Sequence, residues 1–245
     1  MAASHGGLYP AYLAAKLGLR GVIFSDAGRA LDDSGIAGLY SLDRSGIPAA
    51  AISVASARIG DGADLMARGI IASVNQTAAA LGCGEGMRCA EAADLFRKAD
   101  VAACDDPPPY NEERIMLRDA DPCIFALDSI SLVQPGDLGA IVVSGSHGGL
   151  IGADRTAVKV DVLAAIYHDA GGGIDGAGFS RLPALDRIGI IGATVDGASA
   201  RIGDGRSVWS TGTVSRCNAL AARCGVISGM SVPELAERVA SCATA

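Results

Sequence analysis

Three observations predict an α/β fold made of two similar halves. The chain repeats itself: residues 23–87 align with 166–230 at one constant offset and without gaps, pairing Asp26-Ala27-Gly28 with Asp169-Ala170-Gly171. The longest shared string is Ser56-Ala57-Arg58-Ile59-Gly60-Asp61-Gly62 against Ser199-Ala200-Arg201-Ile202-Gly203-Asp204-Gly205, and one residue out of register Ser4-His5-Gly6-Gly7 matches Ser146-His147-Gly148-Gly149. Short apolar runs alternate with helical spans, the pattern of a parallel sheet with helical crossovers. Glycine is abundant, at 33 of 245 residues, and aromatics make up 4%, so the core must be built from Ala, Val, Ile and Leu, which suits tightly packed βα units. A solenoid buries its core only across three or more repeats. The prediction is therefore an internally duplicated α/β fold of two pseudo-symmetric βαβαβα halves with a mostly parallel sheet. The halves span 1–98 and 140–245, and a connector over 99–139 carries an extra strand.

In the first half the pattern predicts a helix over 11–19, strands over 21–24 and 48–54, and helices over 70–81 and 90–98. Only Met1-Ala2-Ala3 precede its Ser-His-Gly-Gly motif, whereas the second half has a full strand there. Either the opening strand of the first half is missing, or the run at 123–127 fills its slot. The connector contains Asp105-Asp106-Pro107-Pro108-Pro109-Tyr110-Asn111, a turn-rich stretch that reads as a crossover, with a lid as the alternative. In the second half a strand over 140–143 empties into a glycine loop. A helix over 156–163, a strand over 164–167, a helix over 184–188 and a strand over 190–195 follow. A helix over 215–223 comes next, and Pro233 opens a terminal helix through 239. Every repeated polar motif follows a predicted strand, so the motifs collect at strand carboxyl ends, where open α/β sheets bind ligands.

Net charge is −7 and no Lys/Arg run is present, which argues against nucleic acid or an anionic membrane as partner. No apolar run reaches the roughly 18–20 residues of a spanning helix, and no leader pattern opens the chain. A soluble, cytoplasmic protein is expected, its seven cysteines reduced and mostly buried, since none forms a CxxC pair. An Ala-rich apolar chain of this size is also expected to form a homo-oligomer.

All three histidines, His5, His147 and His168, fall at predicted strand ends, and histidine is the side chain best suited to proton transfer or metal ligation near neutral pH. The halves differ where His168 replaces Ser25 and Asp196 replaces Ser53. The second half thus gathers His147, His168, Asp169 and Asp196, a set able to act in acid/base chemistry or to hold a divalent metal ion through His147, His168 and Asp196. Ser146 beside His147 is a candidate nucleophile, although the GxSxG elbow is absent. Arg58 and Arg201 lie on glycine loops where a planar guanidinium can clamp a carboxylate or phosphate, and Asp61 and Asp204 read as helix caps. Gly148 and Gly149 offer backbone amides as oxyanion donors. Asn75 and Asn218 recur inside predicted helices, where Asn is disfavoured, so they are expected to turn inward towards the Arg loops. Asp43-Arg44 and Asp186-Arg187 read as ion pairs. Neither GxGxxG nor GxxxxGK[ST] is present in its required context, so no nucleotide cofactor is expected. These residues point to a small-molecule enzyme, foremost a hydrolase of an amide or related C–N bond in a small anionic substrate. The alternatives are an isomerase or racemase using His5 and His147 as paired acid/base groups, and a non-catalytic module that binds a small acid.

Overall fold

The computed structural model describes residues 2–100, 107, 109–151 and 158–243. Within them the chain is a mixed α/β protein with a three-stranded and a six-stranded sheet. It begins with α1 (Leu8–Lys16), β1 (Val22–Ser25), α2 (Ala37–Arg44), β2 (Ala49–Ile52), α3 (Gly62–Arg68), β3 (Ile71–Val74), α4 (Gln76–Ala80) and α5 (Cys89–Arg97). β1 and β2 are parallel, and β3 runs antiparallel to β2. The second sheet holds β4 (Arg114–Arg118), β5 (Ile124–Leu127), β6 (Ile141–His147), β7 (Ala164–His168), β8 (Ile191–Val195) and β9 (Val214–Cys217) in sequence order. β5 to β8 are parallel and the edge strands β4 and β9 are antiparallel. Its helices are α6 (Leu182–Arg187), α7 (Gly205–Thr211), α8 (Ala219–Arg223) and α9 (Val232–Ala243).

β1, β2, β5 and β7 are buried along their whole length, which explains why they are nearly continuous apolar runs, whereas β3, β4 and β9 at the sheet edges are only partly buried. Val22, Phe24, Ala49 and Ala51 pack with Ala11, Leu39 and Leu42 of α1 and α2, while Ile23, Ala50 and Ile52 pack against Leu65 and Phe96 of α3 and α5. In the larger sheet Ile141, Val143, Ile166 and Val195 meet Val208, Leu235 and Val239, and Val142, Ala165 and Tyr167 meet Leu185 on the other face. A small cluster of Ala27, Ile59, Ala170, Ala177 and Ile202 lies between the sheets.

Several expectations are corrected. Residues 71–74 and 214–217 are strands, not helix; the helices start one residue later, after Asn75 and Asn218. Each Asn side chain is a cap that marks a helix start, and a helix drawn through it runs one element into the next. Residues 158–163 are not helical; the rest of that span, 156–157, lies outside the described residues. The slot beside β1 is filled by the N-terminal segment itself: the Ala2 amide donates to the Ile23 carbonyl and that of Ser25 to Ser4, both at 3.0 Å. The 123–127 run forms β5 but pairs with β6, and β4 had no clear sequence signal. Cys224 and Cys242 form a disulfide with Cα atoms 5.4 Å apart, correcting the fully reduced expectation; α9 folds back and brings together two cysteines that spacing alone did not pair. Among the described residues no helix is long and apolar enough to cross a membrane.

Candidate functional site

Two turns meet back to back between the sheets. In each, an aspartate just after a strand holds two amides with one oxygen: Asp26 Oδ1 accepts from Gly28 and Val54, both at 2.9 Å, and Asp169 Oδ1 accepts from Gly171 at 2.8 Å and Gly197 at 2.9 Å. Gly28 and Gly171 touch backbone to backbone; a Cβ on Gly28 would stand 2.9 Å from the Gly171 Cα, and the reverse distance is 3.0 Å. The hydrogen bonds across this seam are reciprocal. The Leu31 amide donates to the Gly197 carbonyl and the Ile174 amide to that of Val54, each at 2.9 Å. Arg58 pairs with Asp175 at 2.8 Å, and Arg201 pairs with Asp32 at 2.6 Å. The two loop arginines are therefore already matched by aspartates from the facing turn.

One cavity of about 1160 Å³ is lined from both sides of the seam and by the connector. His5, His147, Ser4 and Ser146 lie in its wall. The Gly7 amide donates to His5 Nδ1 at 3.1 Å and the Gly149 amide donates to His147 Nδ1 at 3.2 Å. A ring nitrogen that accepts from an amide carries no proton, so each neutral ring bears its hydrogen on Nε2. Burial lowers both rings to about 3, and the Arg181 charge adds to this at His147. At neutral pH His5 and His147 are thus donors through Nε2–H rather than bases. Each ring also sits beside a glycine of the opposite Arg-Ile-Gly loop: Cβ positions built on Gly203 and Gly60 would stand 3.3 Å from His5 Cε1 and 3.7 Å from His147 Cε1.

The connector supplies a further wall. Tyr110 packs against Tyr9 and Tyr12 of α1, with ring centroids 5.9 and 6.3 Å apart, and this sets Glu112 in the cavity beside Asp128. Burial and the neighbouring Asp128 charge raise the Glu112 carboxyl to about 7. Arg181, fully buried at the start of α6, also lines the cavity.

Of the other expected site residues, Ser146 and Arg201 also line the cavity, each engaged by a partner within the chain, and the rest lie elsewhere. His168 is fully buried, Nδ1 accepting from the Ala170 amide at 2.9 Å and Nε2 donating to the Ala200 carbonyl at 3.0 Å; neither nitrogen is left for substrate or metal. Asp169 is the turn-holder described above. Asp196 is exposed and accepts from the Ala198 amide. Among the described residues no three His, Cys, Asp or Glu side chains group as a metal site. Ser146 Oγ accepts from the Ile130 amide at 3.0 Å. The Gly148 amide donates to the His168 carbonyl and that of Gly149 to His147, so neither is free as an oxyanion donor. Asn218 binds the Gly192 and Ala221 amides and donates to the Ile190 carbonyl; Asn75 does the same with Ala49, Ala78 and Ile47. They bolt α8 and α4 to the strands rather than reaching the Arg loops. Asp43 and Asp186 accept from the Thr77 and Leu220 amides, so they too hold these helices, while Asp61 and Asp204 cap α3 and α7.

Sequence reasoning missed Glu112 and Arg181. Arg181 had a usable signal, since the aligned position of the first half is Gly38, a difference as sharp as that at His168. Glu112 had none, because its raised affinity for a proton comes from tertiary burial. No protein-family model, curated protein or solved structure matches the chain.

Proposed function

We propose that the chain is a duplicated α/β enzyme of two pseudo-symmetric halves that hydrolyses an amide or related C–N bond of a small anionic substrate in this cavity. Support for the duplication comes from the reciprocal contacts at the seam. The observation that carries the hydrolase reading is the meeting in one cavity of two imidazoles held as Nε2–H donors with a carboxyl group poised to exchange a proton near neutral pH. Ionised Glu112 takes a proton from water, and the resulting hydroxyl bonds to the carbonyl carbon. Negative charge gathering on the carbonyl oxygen is met by the Nε2–H groups of His5 and His147. As the C–N bond breaks, protonated Glu112 returns its proton to the leaving nitrogen, giving a carboxylic acid and an amine.

The test is turnover of a panel of N-acyl amino acids, ureido acids and lactams, followed by release of amine or ammonia. Activity should rise with pH through about 7, where Glu112 ionises, and Glu112→Gln should lower kcat at least about a hundredfold. Turnover by E112Q at the wild-type rate overturns the reading. The isomerase alternative gains from both imidazoles sharing one cavity, but it needs one of them protonated at neutral pH, against the burial that lowers both. Ligand binding without turnover of any panel member would favour the small-acid binder.

A further inference from the structure

Arg181 is 1% exposed. Its backbone amide donates to the Gly148 carbonyl at 3.0 Å, its Nη2 to the Gly149 carbonyl at 2.8 Å, and its guanidinium lies over the Tyr167 ring, 4.7 Å from the centroid. Nε and Nη1 have no hydrogen-bond partner among the described residues. A guanidinium withdrawn from water and left without a counter-charge among the described residues is strongly unfavourable, and this one borders the cavity shared by His5 and His147. The arrangement is one-sided. The aligned residue is Gly38, where a Cβ would stand only 2.4 Å from the Gly7 carbonyl oxygen, so the first half has no room for an arginine there.

The remaining wall defines what accompanies the charge. Leu8, Leu13 and Leu17 give one stretch an apolar surface, while Glu112, Glu113, Asp128 and Asp204 share another with Lys159, Arg201 and Arg206, Arg206 being paired with Glu113 and Arg201 with Asp32. A second negative charge on the ligand beside Glu112 would meet both that carboxyl and the Asp128 charge that already raises its proton affinity. We infer that Arg181 anchors a monocarboxylate bearing an apolar arm, the carboxylate on its unused N–H donors and the arm along α1. This deepens the proposed function, on which it rests for the identity of the site, but it concerns binding alone.

Calorimetric titration of the full chain with acetate, butanoate, hexanoate, octanoate and inorganic phosphate tests it. Affinity should rise about fourfold per added methylene along the series, and Arg181→Met should weaken hexanoate binding at least tenfold. Leu13→Ser should flatten the dependence on chain length while leaving acetate affinity unchanged, and this arm decides the matter if R181M does not fold. Wild-type affinity for hexanoate in R181M, indifference to chain length, tighter binding of phosphate than of hexanoate, or no binding of any carboxylate would each overturn the inference. Carboxylate binding without amide turnover would sustain it and sink the hydrolase; amide turnover with unaltered KM in R181M would do the reverse.

Discussion

Whether a buried imidazole acts as base or donor is decided here by a single amide. In His5 and His147 the amide two residues on occupies Nδ1, and in His168 a carbonyl takes Nε2 as well. Three histidines of similar sequence context therefore divide into two that face the cavity and one that is structural. The same burial has a consequence for stability. Each cavity ring titrates at about 3 in the folded chain and at about 6.5 when unfolded, so between these values the unfolded chain binds the extra proton. Stability is then fully present above pH 6.5 and falls as pH drops towards 3, by up to about 1.4 kcal/mol per pH unit for each ring. Urea denaturation from pH 7 to 4 should show this slope. His147→Asn, which keeps an acceptor for the Gly149 amide, should reduce it; an unchanged slope would count against a neutral His147.

At the scale of elements, the two buried asparagines are the most consequential polar side chains outside the cavity. Each joins a strand amide, a helix amide and a loop carbonyl. Replacing Asn218 with Ala removes a cap, which costs about 1 kcal/mol, and strands buried partners at about 1–3 kcal/mol more. A loss of about 2–4 kcal/mol in chemical denaturation is expected, with Asn75→Ala similar; a loss under about 0.5 kcal/mol would contradict this account. The same residues show where the sequence was readable. Strands β1, β2, β7 and β8 were legible because burial on both faces leaves uninterrupted apolar runs. β3 and β9 were not, because four residues of strand followed directly by a five-residue helix blend into one helical-looking span, and the Asn between them was read as interior rather than as a boundary. The placement of His5 and His147 in the cavity wall was legible from their positions at strand ends. That of Glu112 was not, since its local sequence is that of an ordinary polar loop and only the packing of Tyr110 on α1 brings it to the cavity.

At the scale of the whole molecule, the seam between the sheets rests on Gly28 and Gly171. Both have positive φ, +67° and +71°, and each leaves under 3.1 Å for a Cβ against the other's Cα. Gly28→Ala should therefore cost more than Gly82→Ala, where φ is also positive (+84°) but nothing lies within 4 Å. The control should lose about 1 kcal/mol for backbone strain alone, and the seam variant at least twice that; equal losses would show that the contact yields freely. The paired Arg58–Asp175 and Arg201–Asp32 bridges are about half exposed, and Arg201→Ala should change stability by under about 1 kcal/mol. The glycine contact also governs motion. Where two main chains touch with no side chain between them, no rotamer change can let the sheets roll apart, so the seam is a fixed axle rather than a hinge. The contact between α1 and the connector is of the other kind: three tyrosine rings pack there, and rings can slide over one another without breaking a backbone hydrogen bond.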